Sequence, residues 1–208
     1  MPSTRLMLRR GESGSDAMPR GYRRLEYVQT TGAARLNTLL QLGASPVKTV
    51  IRGCCTGYGS TSYFRMVAAV STNYQGLRVG FLQNSNNFGI SADNKFSSGA
   101  RFLDPFTLSI TWRQTGCTAV CGNETISQTR TAYTGTAPIT IPSGTSGAQT
   151  GAPMLIYRVQ SFSDTGDELQ NFIPALEEAT NKVGFLEMLT GVFHESYSDT
   201  PFTAGPEI

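Results

Sequence analysis

From residue 25 onward, apolar and polar residues alternate with a period of two, which predicts extended strands whose two faces meet different surroundings. The clearest run is 106–113, FTLSITWR: Phe106, Leu108, Ile110 and Trp112 fall on one face, and Thr107, Ser109, Thr111 and Arg113 on the other. Shorter runs at 47–52, 63–70, 77–82, 138–142 and 154–162 repeat the pattern. Clusters such as QNSNN (83–87) and SGTSGAQTG (143–151) separate them and supply the turn-forming residues. A first strand is expected to start with Tyr22, Leu25, Tyr27 and Val28. The one stretch with a helical look, from Pro174 to Asn181, reads as a short connector. Many short half-buried strands and no internal repeat predict an all-β protein, a sandwich or jelly roll.

Composition strengthens that expectation. Ser (19), Thr (25) and Gly (22) together outnumber the 32 charged residues, which suits strands joined by tight turns. With 208 residues the chain can bury a sizeable core in one domain. No stretch approaches the ~20 apolar residues of a membrane helix, and the N-terminus lacks the apolar block of a secretory signal. The expectation is a soluble protein made in the cytoplasm. There Cys54, Cys55, Cys117 and Cys121 stay reduced. Cys54 and Cys55 adjoin in a predicted strand and therefore point to opposite faces, which disfavours a shared metal.

Charge is unevenly placed. Residues 1–24 carry six arginines against Glu12 and Asp16, a balance of +4, whereas 25–208 carry −2. The GESGSDA segment at 11–17 has no periodicity. Residues 1–21 therefore read as an extended basic arm and 22–208 as the sandwich. In the arm, Leu6, Met7 and Leu8 offer apolar contact, and Arg5, Arg9 and Arg10 offer charge pairing with a protein partner. The patch is too small, and the remainder too acidic, for nucleic acid.

Catalytic patterns are sparse. His194 is the only histidine; it sits in GVFHES, a hairpin pattern that predicts a surface strand residue, with no G-x-S-x-G elbow anywhere. No Walker loop and no strand–GxGxxG–helix unit occurs. A glycosidase needs two carboxylates across a cleft. Asp164, Asp167 and Glu168 read as a turn, Glu177 and Glu178 as a connector, and Asp93 and Asp104 stand alone. Ligand binding without catalysis finds a better candidate in LQNSNNFGISADN. Asn84, Asn86, Asn87 and Asp93 supply amide and carboxylate oxygens suited to a glycan or Ca²⁺, and Tyr74 supplies a face for a sugar ring. No cofactor is expected.

Two stretches carry a family resemblance. Residues 21–32, GYRRLEYVQTTG, resemble the "GYxxLEYIxSTGxQYIDTG" opening of phage and prophage virion proteins that contain a laminin-G/concanavalin A-like sandwich. IYRVQSF, then NFIPA at 171–175, VGFLEMLTGVFHES at 183–196 and FTAGPEI at 202–208, are similar to that family's closing pattern. Asn171 replaces the usual acid before Phe172, Glu187 stands where Asp is common, and residues 34–38 depart from "QYIDTG", although Leu36 and Thr38 keep the strand alternation. The resemblance implies a concanavalin A-like jelly roll over 22–208 with its two ends side by side. It also implies a non-enzymatic virion structural protein of a bacteriophage. The chain's brevity favours an accessory or capsid decoration protein, present in many copies and bound to other capsid or tail subunits. A tail or baseplate module that recognises a host-surface carbohydrate is the alternative; neither reading involves membrane or nucleic acid.

Overall fold

The computed structural model describes residues 17–56, 65–70, 76–81, 87–92, 95–101, 105–142 and 151–208. Seventeen strands are present among these residues, and no helix. The larger sheet contains eleven strands: β1 (Tyr22–Arg24), β2 (Val28–Thr30), β4 (Val47–Cys55), β9 (Phe106–Arg113), β10 (Gly116–Cys121), β11 (Glu124–Thr129), β13 (Met154–Phe162), β14 (Glu168–Glu177), β15 (Lys182–Glu187), β16 (Val192–His194) and β17 (Thr203–Ala204). Its main path runs β11-β10-β9-β4-β13-β14-β15-β16. The smaller sheet, in the order β3-β12-β5-β6-β7-β8, contains β3 (Leu36–Gln41), β12 (Pro138–Ile141), β5 (Arg65–Val70), β6 (Leu77–Phe81), β7 (Asn87–Ala92) and β8 (Lys95–Arg101). All strand pairs within each sheet are antiparallel. The protein is thus an all-β sandwich of two antiparallel sheets, as the alternation predicts.

Alternation explains why the sheets face each other. On β9 the buried positions are Phe106, Leu108, Ile110 and Trp112, on β4 they include Val47, Thr49 and Ile51, and on β12 they are Ile139 and Ile141. One continuous core joins these side chains with Val67, Val79, Phe88 and Ile90 of the smaller sheet. Burying such residues at about 25 cal/mol per Å² supplies the main favourable term for the fold. Trp112 keeps its ring inside by donating Nε1–H to Thr49 Oγ1 at 3.1 Å, so its one polar atom is satisfied in the interior. Cys55, Cys117 and Cys121 belong to the same core, and burial pushes the Cys117 thiol up to about 12. Cys54 lies on the other face of β4, half-buried, as adjacency in a strand requires.

The first strand region is clasped on both sides. β1 pairs with the end of β14, with Arg24 opposite Ala175, while β2 pairs with β13 on one side and β17 on the other. The C-terminal tail completes the clasp: Glu26 N donates to Pro206 O, Gly205 N to Tyr27 O, and Ile208 N to Arg24 O. A side chain at position 205 would collide with the Tyr27 ring, which accounts for glycine there. Phe202 anchors the tail by meeting Phe185 edge to face at 5.3 Å.

The stretch from Pro174 to Asn181 is a correction to the sequence reading. Pro174 through Glu177 form the last part of β14, and the chain then turns at 178–181, with Asn181 at a positive φ of 56°. Residues 171–176 are all buried, and 172–176 are apolar on both faces because both faces are covered. Period-two alternation is therefore lost there, and the pattern mimics a short helix. Glu168 and Glu177 likewise belong to β14 at its two ends, beyond the turn and connector expected for them.

Candidate functional site: the arm base and the hairpin beside it

Odd-numbered residues of β14 point away from the main core, and there they build a second, smaller apolar cluster. Ile173, Ala175 and Leu186 are fully buried on this outer face, roofed by Met18, Tyr22, Met188 and Phe193. Ile173 and Leu186 are register partners, as are Leu186 and Phe193, so the apolar stripe crosses β14, β15 and β16 directly. Tyr22 stacks on Phe193 with ring centroids 5.7 Å apart. Backbone bonds fix the approach to this roof: Tyr22 N donates to Pro19 O, and Glu178 N to Gly21 O. The base of the arm, Met18 to Tyr22, is therefore part of the folded unit, seated on the outer face of the larger sheet.

The β15–β16 hairpin exposes Leu189 and Val192, each to 52%, and Leu169 of β14 is also exposed; Val192, one residue before Phe193, faces the side of the sheet opposite the cluster. The hairpin is rigid because Glu187 staples it. Its Oε1 accepts the N–H of Asn171 at 2.8 Å and that of Leu189 at 3.2 Å. Its Oε2 accepts the N–H and hydroxyl of Thr190 at 2.8 and 2.6 Å. Gly191, at φ 72°, closes the turn with its N–H on Glu187 O. Burial by itself would raise the Glu187 carboxyl, but the Thr190 hydroxyl and the three amides outweigh it and hold the group below the usual carboxylate range. All four contacts go to this chain's own turn and strand, so the carboxylate is occupied structurally.

His194 stands in β16, as expected for a strand, but it is half-buried rather than on the surface. Its ring meets Phe172 edge-on at 5.1 Å. Burial lowers its pKa, and the negative charge of Glu187 partly opposes that. Further along β14, Asn171 accepts the Arg158 Nε–H at 2.9 Å through Oδ1. Asn171 is thus a neutral acceptor for Arg158.

Most of the candidate residues from the sequence lie elsewhere. Arg5, Leu6, Met7, Leu8, Arg9 and Arg10 fall outside the described residues, as do Tyr74, Asn84, Asn86 and Asp93. Asn87 is described: it is half-buried and opens β7, with its Cα opposite that of Arg101 in β8. Asn87 thus lies at the end of the smaller sheet opposite Leu77 and Ala92, the strand ends that adjoin Tyr74 and Asp93, so the strand order does not bring the predicted set together. Sequence reasoning passed over Met18, Phe193 and Glu187. The signals available were an acid followed after two residues by Thr-Gly (187–191, EMLTG), a turn-stapling pattern, and the apolar run in NFIPAL, which needs a second cover. Among the described residues no group of three or more His, Cys, Asp or Glu side chains could hold a metal ion.

No family model and no curated protein matches the sequence. Among solved structures, the chain is similar to the heptameric SAP-like pentraxin of Limulus polyphemus at 10% identity and a TM-score of 0.41, over 68% of this chain and 75% of that one. It is also similar to Scytalido-glutamic peptidase (10% identity, TM-score 0.37, 78% and 88% covered) and to sheep galectin-11 (13%, 0.28, 70% and 100%).

Proposed function

We propose that this chain is a non-enzymatic structural protein of a bacteriophage particle, an accessory or decoration protein displayed in many copies on the capsid and held there through its N-terminal arm. The observation that carries the reading is the seating of Met18 and Tyr22 on the outer-face cluster. The base of the leader is thereby fixed to the outer face of the larger sheet. The resemblance of residues 21–32 and of the segments within 156–208 to virion proteins supplies the biological setting. In the arm, Leu6, Met7 and Leu8 insert into an apolar groove of a capsid subunit, and Arg5, Arg9 and Arg10 pair with carboxylates at its rim. Each such contact is modest, and repetition on the particle supplies avidity.

The occupied Glu187 carboxylate supports a non-catalytic role for the polar residues of this hairpin. A receptor-binding role in tail or baseplate is the second reading. It rests on the amide oxygens of Asn84, Asn86 and Asn87 as ligands for a host glycan or Ca²⁺; Tyr74 and Asp93 adjoin Leu77 and Ala92, at the end of the smaller sheet opposite Asn87. Imaging of intact particles with the tagged protein decides between them. Density over the capsid faces is expected, and density confined to the tail tip would overturn the decoration reading.

A further inference from the structure

A row of polar side chains crosses the interior of the sandwich. Thr49 of β4 is the register partner of Ser161 in β13, and Ser161 is the register partner of Gln170 in β14, so the three lie side by side on the inner face. Thr49 and Ser161 are fully buried. Register partners on one face have Cβ atoms about 4.5–5.5 Å apart, which brings their polar ends within reach of a common small ligand. Some of their capacity is already used. Thr49 Oγ1 accepts Trp112 Nε1–H, and Gln170 Nε2 donates to the carbonyl of Thr38 in β3, across the gap between the sheets. Because a carbonyl can only accept, that contact fixes the Gln170 amide with Oε1 turned away from Thr38. Ser161 Oγ and Gln170 Oε1 are both buried and have no protein partner. An interior hydroxyl and carbonyl left in that condition are strongly disfavoured.

We propose that Ser161, Gln170 and Thr49 form a binding site for a single internal water molecule, which ties the larger sheet to β3. The water donates to Gln170 Oε1 and exchanges hydrogen bonds with the hydroxyls of Ser161 and Thr49. Three polar partners are the usual complement of a buried water. Ile51, Ile110 and Val159 belong to the core on the same inner face, so the three polar groups are surrounded by apolar side chains. Through Gln170 and Thr38 the site couples the relative position of the two sheets, something an apolar row would leave to packing alone.

Crystallography of the full chain, at a resolution that shows ordered solvent, tests this directly. One density peak within about 3.2 Å of both Ser161 Oγ and Gln170 Oε1 is expected. A direct Ser161–Gln170 hydrogen bond, or no peak between them, overturns the proposal. Thermal unfolding of Ser161→Ala, Gln170→Met and the double variant gives a second reading in solution. Each single variant should lower Tm by several degrees, and the double variant by clearly less than the two losses together. Additive losses would mean that the two side chains share no ligand, which also overturns it.

Discussion

The carboxylate of Glu187 accepts the backbone N–H of Asn171 from the neighbouring strand at 2.8 Å while its other oxygen holds Thr190. One side chain thereby closes a turn and fastens that turn to β14. Glu187→Gln exchanges an acceptor oxygen for an NH₂ group that faces backbone donors, so at least one buried amide loses its partner. The expected cost is about 2–3 kcal/mol, read as a shift in urea midpoint at unchanged m-value. A variant as stable as the parent would show that the turn forms without its staple.

Acid should weaken the protein in two separable windows. His194 has a pKa lowered by burial, so its folded-state value lies below the unfolded one, and the unfolded chain binds the extra proton first. Stability from this group is complete above about pH 6.5 and declines as pH falls below it. Glu187 is also lowered, and its contribution is present above about pH 4.5 and is lost on further acidification. Tm measured from pH 8 to pH 3 should therefore fall in two stages. His194→Gln should remove the upper one and leave the lower.

The boundary of the arm predicts how truncation behaves. Removing residues 1–16 leaves Met18 and Tyr22 in place on Ile173, Leu186 and Phe193, so Tm should stay within about 1–2 °C of the full chain while particle incorporation is lost. Removing residues 1–22 uncovers the cluster and should lower Tm sharply. Full-length Leu6→Glu with Leu8→Glu should also fail to join particles although it folds normally. Normal incorporation of the 17–208 protein, assayed by sedimentation with purified particles, would place the attachment on the sandwich alone.

The C-terminal tail should matter far more than its exposed end suggests. Phe202 is buried against Phe185, and the following residues pair with β2 and with Arg24. Phe202→Ala is expected to cost about 3–5 kcal/mol. Removing Ile208 alone, which loses a single backbone bond and an exposed side chain, should cost less than about 1.5 kcal/mol. Chemical denaturation of the two variants gives the comparison.

Strands that bury one face were legible in the sequence, because the pleat alone converts burial into alternation. β9 and β13 run over the expected 106–113 and 154–162, and β12 begins at Pro138. The closing of the N-terminal strand against the C-terminal tail was legible only through the family resemblance, since pairing between residues some 175 positions apart leaves no local pattern. What tertiary structure alone decided was the outer face of β14. Ile173 and Ala175 look like half of a helix until Met18, Tyr22 and Phe193 arrive from both chain ends to cover them. The same reason hid the roles of Glu187, Ser161 and Gln170. A hydrogen-bonding side chain reads as solvated or turn-forming in sequence, and only the packing of neighbouring strands determines whether water or protein becomes its partner.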